Sequence, residues 1–198
     1  MMRQIIRMQM RKYLLLLVAP LLVACASQSG TDRYYLLSSM MQQTADRSAQ
    51  APVVGVGPVT IPSHLDRSTI VTRSSANRLE VNVGHRWAEP LDENINRVLM
   101  DNLDRTGRAS RLETFPWTSR DGVVWQIVLD IDRFERQADG NVVLVARWKL
   151  VHFEDGAIVQ SAKYNKISKP ADTTIESTVV AMSTLLSDMT GEIASHIP

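Results

Sequence analysis

The chain has a single cysteine, Cys25, among 198 residues. No internal disulfide can form, so the fold must be held by a packed core even in an oxidising compartment. It has no uninterrupted apolar stretch near the roughly 20 residues needed to cross a bilayer as a helix. The run from Leu14 to Val23 is ten residues and includes Pro20. Aromatics make up only 6%. Metal and nucleophile signatures are missing too: there is no HExxH, no paired CxxC and no GxSxG. The glycines of GVG, 55–57, have no third glycine at dinucleotide-loop spacing. His64, His85, His152 and His196 stand far apart. No repeat or low-complexity tract occurs.

The first thirty residues do carry a pattern. Arg3, Arg7, Arg11 and Lys12 form a basic, acid-free start, the apolar run follows, and small residues close it. That is the layout of a secretory signal. Met1, Met2, Met8 and Met10 are all possible starts. The tetrad Leu22-Val23-Ala24-Cys25 resembles the lipobox of bacterial lipoproteins. There the cysteine sulfur receives a diacylglyceryl group, the preceding bond is cut, and the new amine takes an acyl chain such as palmitate. A buried core thiol, an intermolecular disulfide or an ordinary cleaved signal are the competing accounts of Cys25. The agreement of charge, length, small residues and thiol favours lipidation.

On that account 1–24 is a lipoprotein signal peptide, 25–31 a lipidated tether and 32–198 the folded domain. A mature chain from Cys25 has 174 residues, enough for one core. Removing the four leader cations leaves 18 basic against 21 acidic side chains, a formal charge of −3. That argues against nucleic acid, which calls for a basic face. Ala26 and Ser27 follow the cysteine. Bacterial lipoproteins with aspartate there resemble those kept at the inner membrane, so the resemblance favours the outer membrane, periplasmic face.

Residues 32–39 read as a strand and 40–50 as a loop. The stretch 51–62 alternates as a strand broken by Pro58, which suggests an edge or a bulge. Residues 68–74 and 78–84 form two more strands about a polar turn. Leu91, Ile95, Val98, Leu99, Asn102 and Leu103 fall at helical spacing. Pro90 suits the first helical position, Asp92 and Glu93 the first turn, Arg105 the last, and Gly107 the stop. Residues 122–135 and 141–153 form a hairpin. A two-residue Asp139-Gly140 loop would set Asp130 opposite Lys149, Asp132 opposite Arg147, Ile131 opposite Trp148 and Leu129 opposite Leu150. A bulge at Gly140 would shift that register by one. A second Asp-Gly, 155–156, leads into an edge strand, 157–167. The segment 173–197 is an amphipathic helix with Thr173 and Glu176 as a capping box. Its stripe, Ile175, Val179, Met182, Leu186, Met189 and Ile193, packs on the sheet or forms an oligomer seam, the former being the simpler expectation. The fold class is α+β: one domain, a mostly antiparallel sheet packed by two main helices.

No residues read as catalytic, metal-binding or cofactor-binding. Asp130 and Asp132 pair more simply with Arg147 and Lys149 than with a metal, and Asp101 and Asp104 lie on a solvated helix face. Trp148 belongs in the core. Trp117, after Phe115-Pro116, is either exposed for a partner or a plug beneath a loop.

The lipobox at Cys25 is followed by YYLL at 34–37, VGVGPVTIPSHLDRSTIV at 54–71, RWAEPL at 86–91, VLMDNL at 98–103 and AMSTLLSDMTGEIA at 181–194. Together these resemble the PqiC (YmbA) family of ABC-type transport auxiliary lipoproteins. The resemblance implies an outer-membrane lipoprotein that docks a periplasm-spanning protein built of mammalian-cell-entry (MCE) domains, itself joined to an inner-membrane partner. It implies intermembrane lipid transport in the service of envelope integrity, and a homo-oligomer. It implies no enzyme activity and no cofactor beyond the covalent lipid on Cys25. The motif Arg86, Trp87, Ala88, Glu89, Pro90 and Leu91 transfers as a structural or partner-facing element. An assembly or chaperone lipoprotein for an outer-membrane complex is the alternative.

Overall fold

A computed structural model describes residues 31–43, 50–117 and 122–198. The signal, the lipobox and most of the tether lie outside the described residues, as does most of the 40–50 loop. The compact unit runs from Asp32 to Pro198. Its elements are β1 (Arg33–Tyr35), β2 (Val53–Thr60), β3 (Thr69–Ser75), β4 (Arg78–Trp87), α1 (Leu91–Thr106), β5 (Arg111–Thr114), β6 (Val123–Arg136), β7 (Val142–His152), β8 (Ile158–Ser168) and α2 (Ile175–Ser195). Two helices pack on one eight-stranded sheet, an α+β domain.

The long strand β6 organises the sheet. One side pairs antiparallel with β7, which pairs with β8. The other side pairs parallel with β2, and β2 pairs parallel with β5. At its C-terminal end β6 touches β3 through Thr72 and Arg136. From there β4 and β1 extend the sheet. Alternation along β6 sends Ile127, Leu129 and Ile131 under the helices and Asp130 and Asp132 to the opposite face. Leu91, Ile95, Val98, Leu99 and Leu103 of α1 are 0–1% exposed. Each such side chain contributes about 1.5–3 kcal/mol of transfer free energy. The expected stripe of α2 faces the core: Val179, Met182, Leu186, Met189 and Ile193 are buried and Ile175 is half-buried.

Several expectations need correction. The strand over 32–39 stops at Tyr35, because from Leu37 onward the backbone bonds to helix side chains instead of a neighbouring strand. Of the two expectations for Pro58, an edge or a bulge, the second holds. β2 is interior, between β5 and β6, and accommodates Pro58 by a register shift between Val56 and Val59. Gly57 there has φ 114°, and a Cβ on it would lie 2.8 Å from that of Phe115. Gly57→Ala should therefore destabilise the domain by about 2–3 kcal/mol, read from the urea midpoint.

The β6–β7 register also differs. No non-glycine residue among those described has positive φ, which excludes the two-residue type I′ loop. Gly140, φ 88°, instead closes a three-residue loop, with Gln137 and Asn141 as its paired flanks. This is the one-residue shift that a bulge at Gly140 introduces. A second shift between Ile131 and Arg133 leaves Asp130 opposite Arg147, Ile131 opposite Ala146 and Leu129 opposite Trp148. The charges still meet. Arg147 reaches Asp130 at 2.7 Å and Asp132 at 2.6 Å. The Arg147 bond and the Thr60 hydroxyl hold the Asp130 carboxyl below its ordinary pKa.

The cap of α2 is Thr174, whose hydroxyl accepts from the Ser177 N–H, one residue beyond the expected Thr173 box. Pro90 precedes the first helical residue of α1 instead of occupying it. Trp117 is half-buried, in edge contact with Phe115 and Phe153, and lies so close over Gly55 that a Cβ there would come within 2.4 Å of the indole. That is the plug. Trp148 is core, 1% exposed.

Candidate functional site

The family motif and the segment that follows the tether are one construction. β1 pairs parallel with the end of β4, Tyr34 beside Arg86 and Tyr35 beside Trp87. The Arg86 guanidinium donates to Asp32 at 2.6 Å and to the Ser68 hydroxyl at 3.2 Å. Trp87 is 6% exposed, and its N–H donates to the Ser68 carbonyl. The Ala88 N–H donates to the Tyr35 carbonyl. Glu89 accepts from Arg97 at 2.9 Å. The Pro90 carbonyl accepts from the Asn94 N–H, and Leu91 is buried. The Tyr35 hydroxyl lies 2.7 Å from His85 Nδ1, with the rings stacked. Six consecutive residues thus end β4, hold β1 and start α1.

Beyond Tyr35 the chain runs between the two helices and is held from both. The Leu37 N–H donates to Asn94 Oδ1 at 2.7 Å, and the Asn94 amide returns a longer bond to the Leu37 carbonyl. The Ser38 N–H donates to Ser183 Oγ and the Met40 N–H to Ser187 Oγ. The Ser39 and Ser187 hydroxyls both donate to Asn102 Oδ1. Asn94, Asn102, Ser183 and Ser187 are buried polar groups in an otherwise apolar interface. Such groups are tolerated where hydrogen bonds satisfy them; all but the Asn102 side-chain nitrogen are so paired among the described residues, and together they replace the strand partner that residues 36–40 lack. Tyr34 and Leu36, on the opposite side, are 64% and 43% exposed.

The sequence reading placed Asn102 in an apolar stripe and passed over Asn94. The signal was available: two asparagines eight residues apart on the buried face of one helix, and two serines four apart on the other.

Among the described residues no group of three or more His, Cys, Asp or Glu is placed to hold a metal, and no helix is long and apolar enough to cross a membrane. Asp101 and Asp104 are exposed on α1, and Asp101 lies 3.6 Å from Arg97. Among the described residues Glu135 is the one acid buried to 1%. Burial alone would raise its pKa, but bonds from Arg73, Gln137 and Arg133 outweigh that and hold it below the ordinary value of 4.5. A depressed carboxylate stabilises the fold above its unfolded pKa and loses that contribution as pH falls through the folded one. Denaturation midpoints of the wild type should therefore drop on acidification below about 4.5 more steeply than those of Glu135→Gln, itself the less stable at neutral pH.

A profile of the ABC-type transport auxiliary lipoprotein component family matches residues 34–194. The intermembrane transport lipoprotein PqiC of Escherichia coli K12 is 25% identical over 144 residues, 72% of this chain and 75% of that one, and PqiC of Shigella flexneri matches to the same extent. A Xanthomonas campestris protein of known structure shares the fold with a TM-score of 0.69 at 17% identity, over 82% of this chain and 92% of its own. A second crystal structure, of an uncharacterised protein, superposes equally well at 19% identity, over 85% of this chain and 99% of that one. The chain belongs to the ABC-type transport auxiliary lipoproteins, in the PqiC family, a family of transport auxiliaries and not of enzymes.

Proposed function

We propose that this protein is the outer-membrane-anchored docking component of an intermembrane lipid transport system. Lipid on Cys25 holds it to the periplasmic face, and the folded domain receives an MCE-domain protein that spans the periplasm from an inner-membrane partner. The observation that carries this reading is how firmly residues 32–40 are held. The junction of Arg86, Trp87 and Ala88 and the asparagine–serine seam fix the stretch immediately after the lipobox and tether to both helices. Seven residues from Cys25 to Thr31 reach at most about 25 Å. A lipid anchor so tethered keeps the domain against the bilayer, as a docking base requires.

A homo-oligomer fits the edges of the sheet. Among the described residues β8 pairs only with β7, and this outer strand carries Ile158, Val159 and Ile167, each about half exposed or more. Strand edges of this kind are ready to pair with another chain. An assembly role for an outer-membrane complex would use the same anchor with a different partner.

Separation of inner and outer membranes on a sucrose gradient tests the location. The protein should fractionate with the outer membrane. Deleting the gene should sensitise cells to detergent, with rescue by the wild type. Recovery in the inner-membrane fraction, or deletion without an envelope defect, would contradict the proposal.

A further inference from the structure

One carboxylate with two guanidiniums is an unusual allotment for a buried pair. Glu135 Oε1 accepts from Arg73 Nε at 2.8 Å and from Arg133 Nε at 3.2 Å, and its other oxygen accepts the Phe134 N–H. The Glu135 side chain is fully enclosed, whereas Arg73 and Arg133 are 17% and 38% exposed. Both arginines spend their Nε on the carboxylate. Of the outer nitrogens, Arg73 Nη1 donates to the Ala76 carbonyl and Arg133 Nη2 to the Gln137 side chain. Among the described residues, Arg73 Nη2 and Arg133 Nη1 have no acceptor, and neither does the Ser75 hydroxyl. All three residues line a cleft of about 600 Å³ between the β3–β4 turn and the β6–β7 hairpin, with Ala76, Gln137, Ala138 and Asp139 completing it.

The geometry points to a binding site in this cleft for the singly charged phosphate of a phosphodiester, gripped by Arg73 and Arg133. A fixed guanidinium is suited to phosphate because its planar fork matches two oxygens at once. Here Glu135 orients both forks and cancels one of their charges. Asp139 supplies the only other acid in the lining, and both its oxygens accept from Asn141, through the backbone N–H and the side-chain amide. Two guanidiniums less the Glu135 carboxylate leave one positive charge at the two arginines, and Asp139 brings the lining to neutrality, so the site suits a monoanion, a diester, better than a dianion. A diester of this kind arises as a phospholipid headgroup or as a soluble glycerophosphodiester. The site stands on the two arginines alone and survives failure of the docking assignment.

The test is the side-chain Nε–H resonances of Arg73 and Arg133 in the mature lipoprotein held in an uncharged detergent. Three probes are titrated separately: glycerophosphoglycerol, short-chain phosphatidylglycerol below its micellar concentration, and sodium chloride at matched ionic strength. Saturable shifts with the soluble diester support the site and identify the headgroup as sufficient. Saturable shifts with the lipid alone support it and identify a phospholipid source. Arg133→Gln should weaken binding roughly tenfold or more while Glu135 keeps Arg73, Gln137 and the Phe134 N–H. Asp139→Asn should tighten it roughly threefold. No shift with either diester, equal shifts with chloride, or full affinity in both Arg133→Gln and Arg73→Gln would overturn the proposal and leave the arginines as counter-ions of Glu135.

Discussion

Cys25→Ser releases the protein from the membrane and leaves the domain folded: that is the largest effect the account predicts. A serine hydroxyl cannot take the thioether-linked diacylglyceryl group. Each buried acyl CH₂ contributes about 0.8 kcal/mol, and two or more chains make the attachment stable. Cys25 lies outside the compact unit Asp32–Pro198, so the unfolding transition should match that of the wild type. Fractionation by ultracentrifugation and palmitate labelling read the first effect, and urea denaturation the second. A variant that remains membrane-bound, or that unfolds, contradicts lipidation at this residue.

Asn94→Leu should destabilise the domain by about 2–4 kcal/mol, the largest loss expected of a polar substitution here. The amide side chain serves both the N–H and the carbonyl of Leu37, and Leu37 is 1% exposed. Leucine restores the apolar volume but leaves two backbone groups dry and unpaired, at about 1–3 kcal/mol for each. Arg86→Ala, at a contact one-third exposed on both sides, should cost under about 1 kcal/mol by the same measurement. The ordering matters more than either figure. If the asparagine–serine seam holds residues 36–40, hydrogen exchange at Leu37, Ser38 and Met40 accelerates in Asn94→Leu and stays near wild type in Arg86→Ala. Equal costs for the two substitutions would place the hold on the β1–β4 pairing instead.

What the sequence made legible follows the strength of its periodicities. α1 was readable because five apolar residues repeat on one face between an acidic first turn and a glycine stop, and Gly107 does adopt φ 67°. The β6–β7 hairpin was readable from its alternation and its Asp139-Gly140 turn, and the edge position of β8 from Lys163 and Lys166 in a weaker alternation. Register was not, because two bulges shift it by a residue each and a bulge leaves alternation on either side intact. β5, four residues long, has too few positions to show a pattern. The segment after Tyr35 looked like a strand because paired aromatics and leucines, Tyr34 to Leu37, run through it. Its partners are side chains 57 to 147 residues away, which no local window contains. The motif Arg86–Leu91 could be read as the join between a strand and a helix. Its third function, holding β1, required the fold.

In-cell crosslinking at native expression, followed by purification of the lipoprotein and mass spectrometry of what accompanies it, tests the docking claim most directly. The account predicts an MCE-domain protein crosslinked at high occupancy, and loss of that crosslink in Cys25→Ser. An outer-membrane barrel protein recovered without any MCE-domain partner would contradict it.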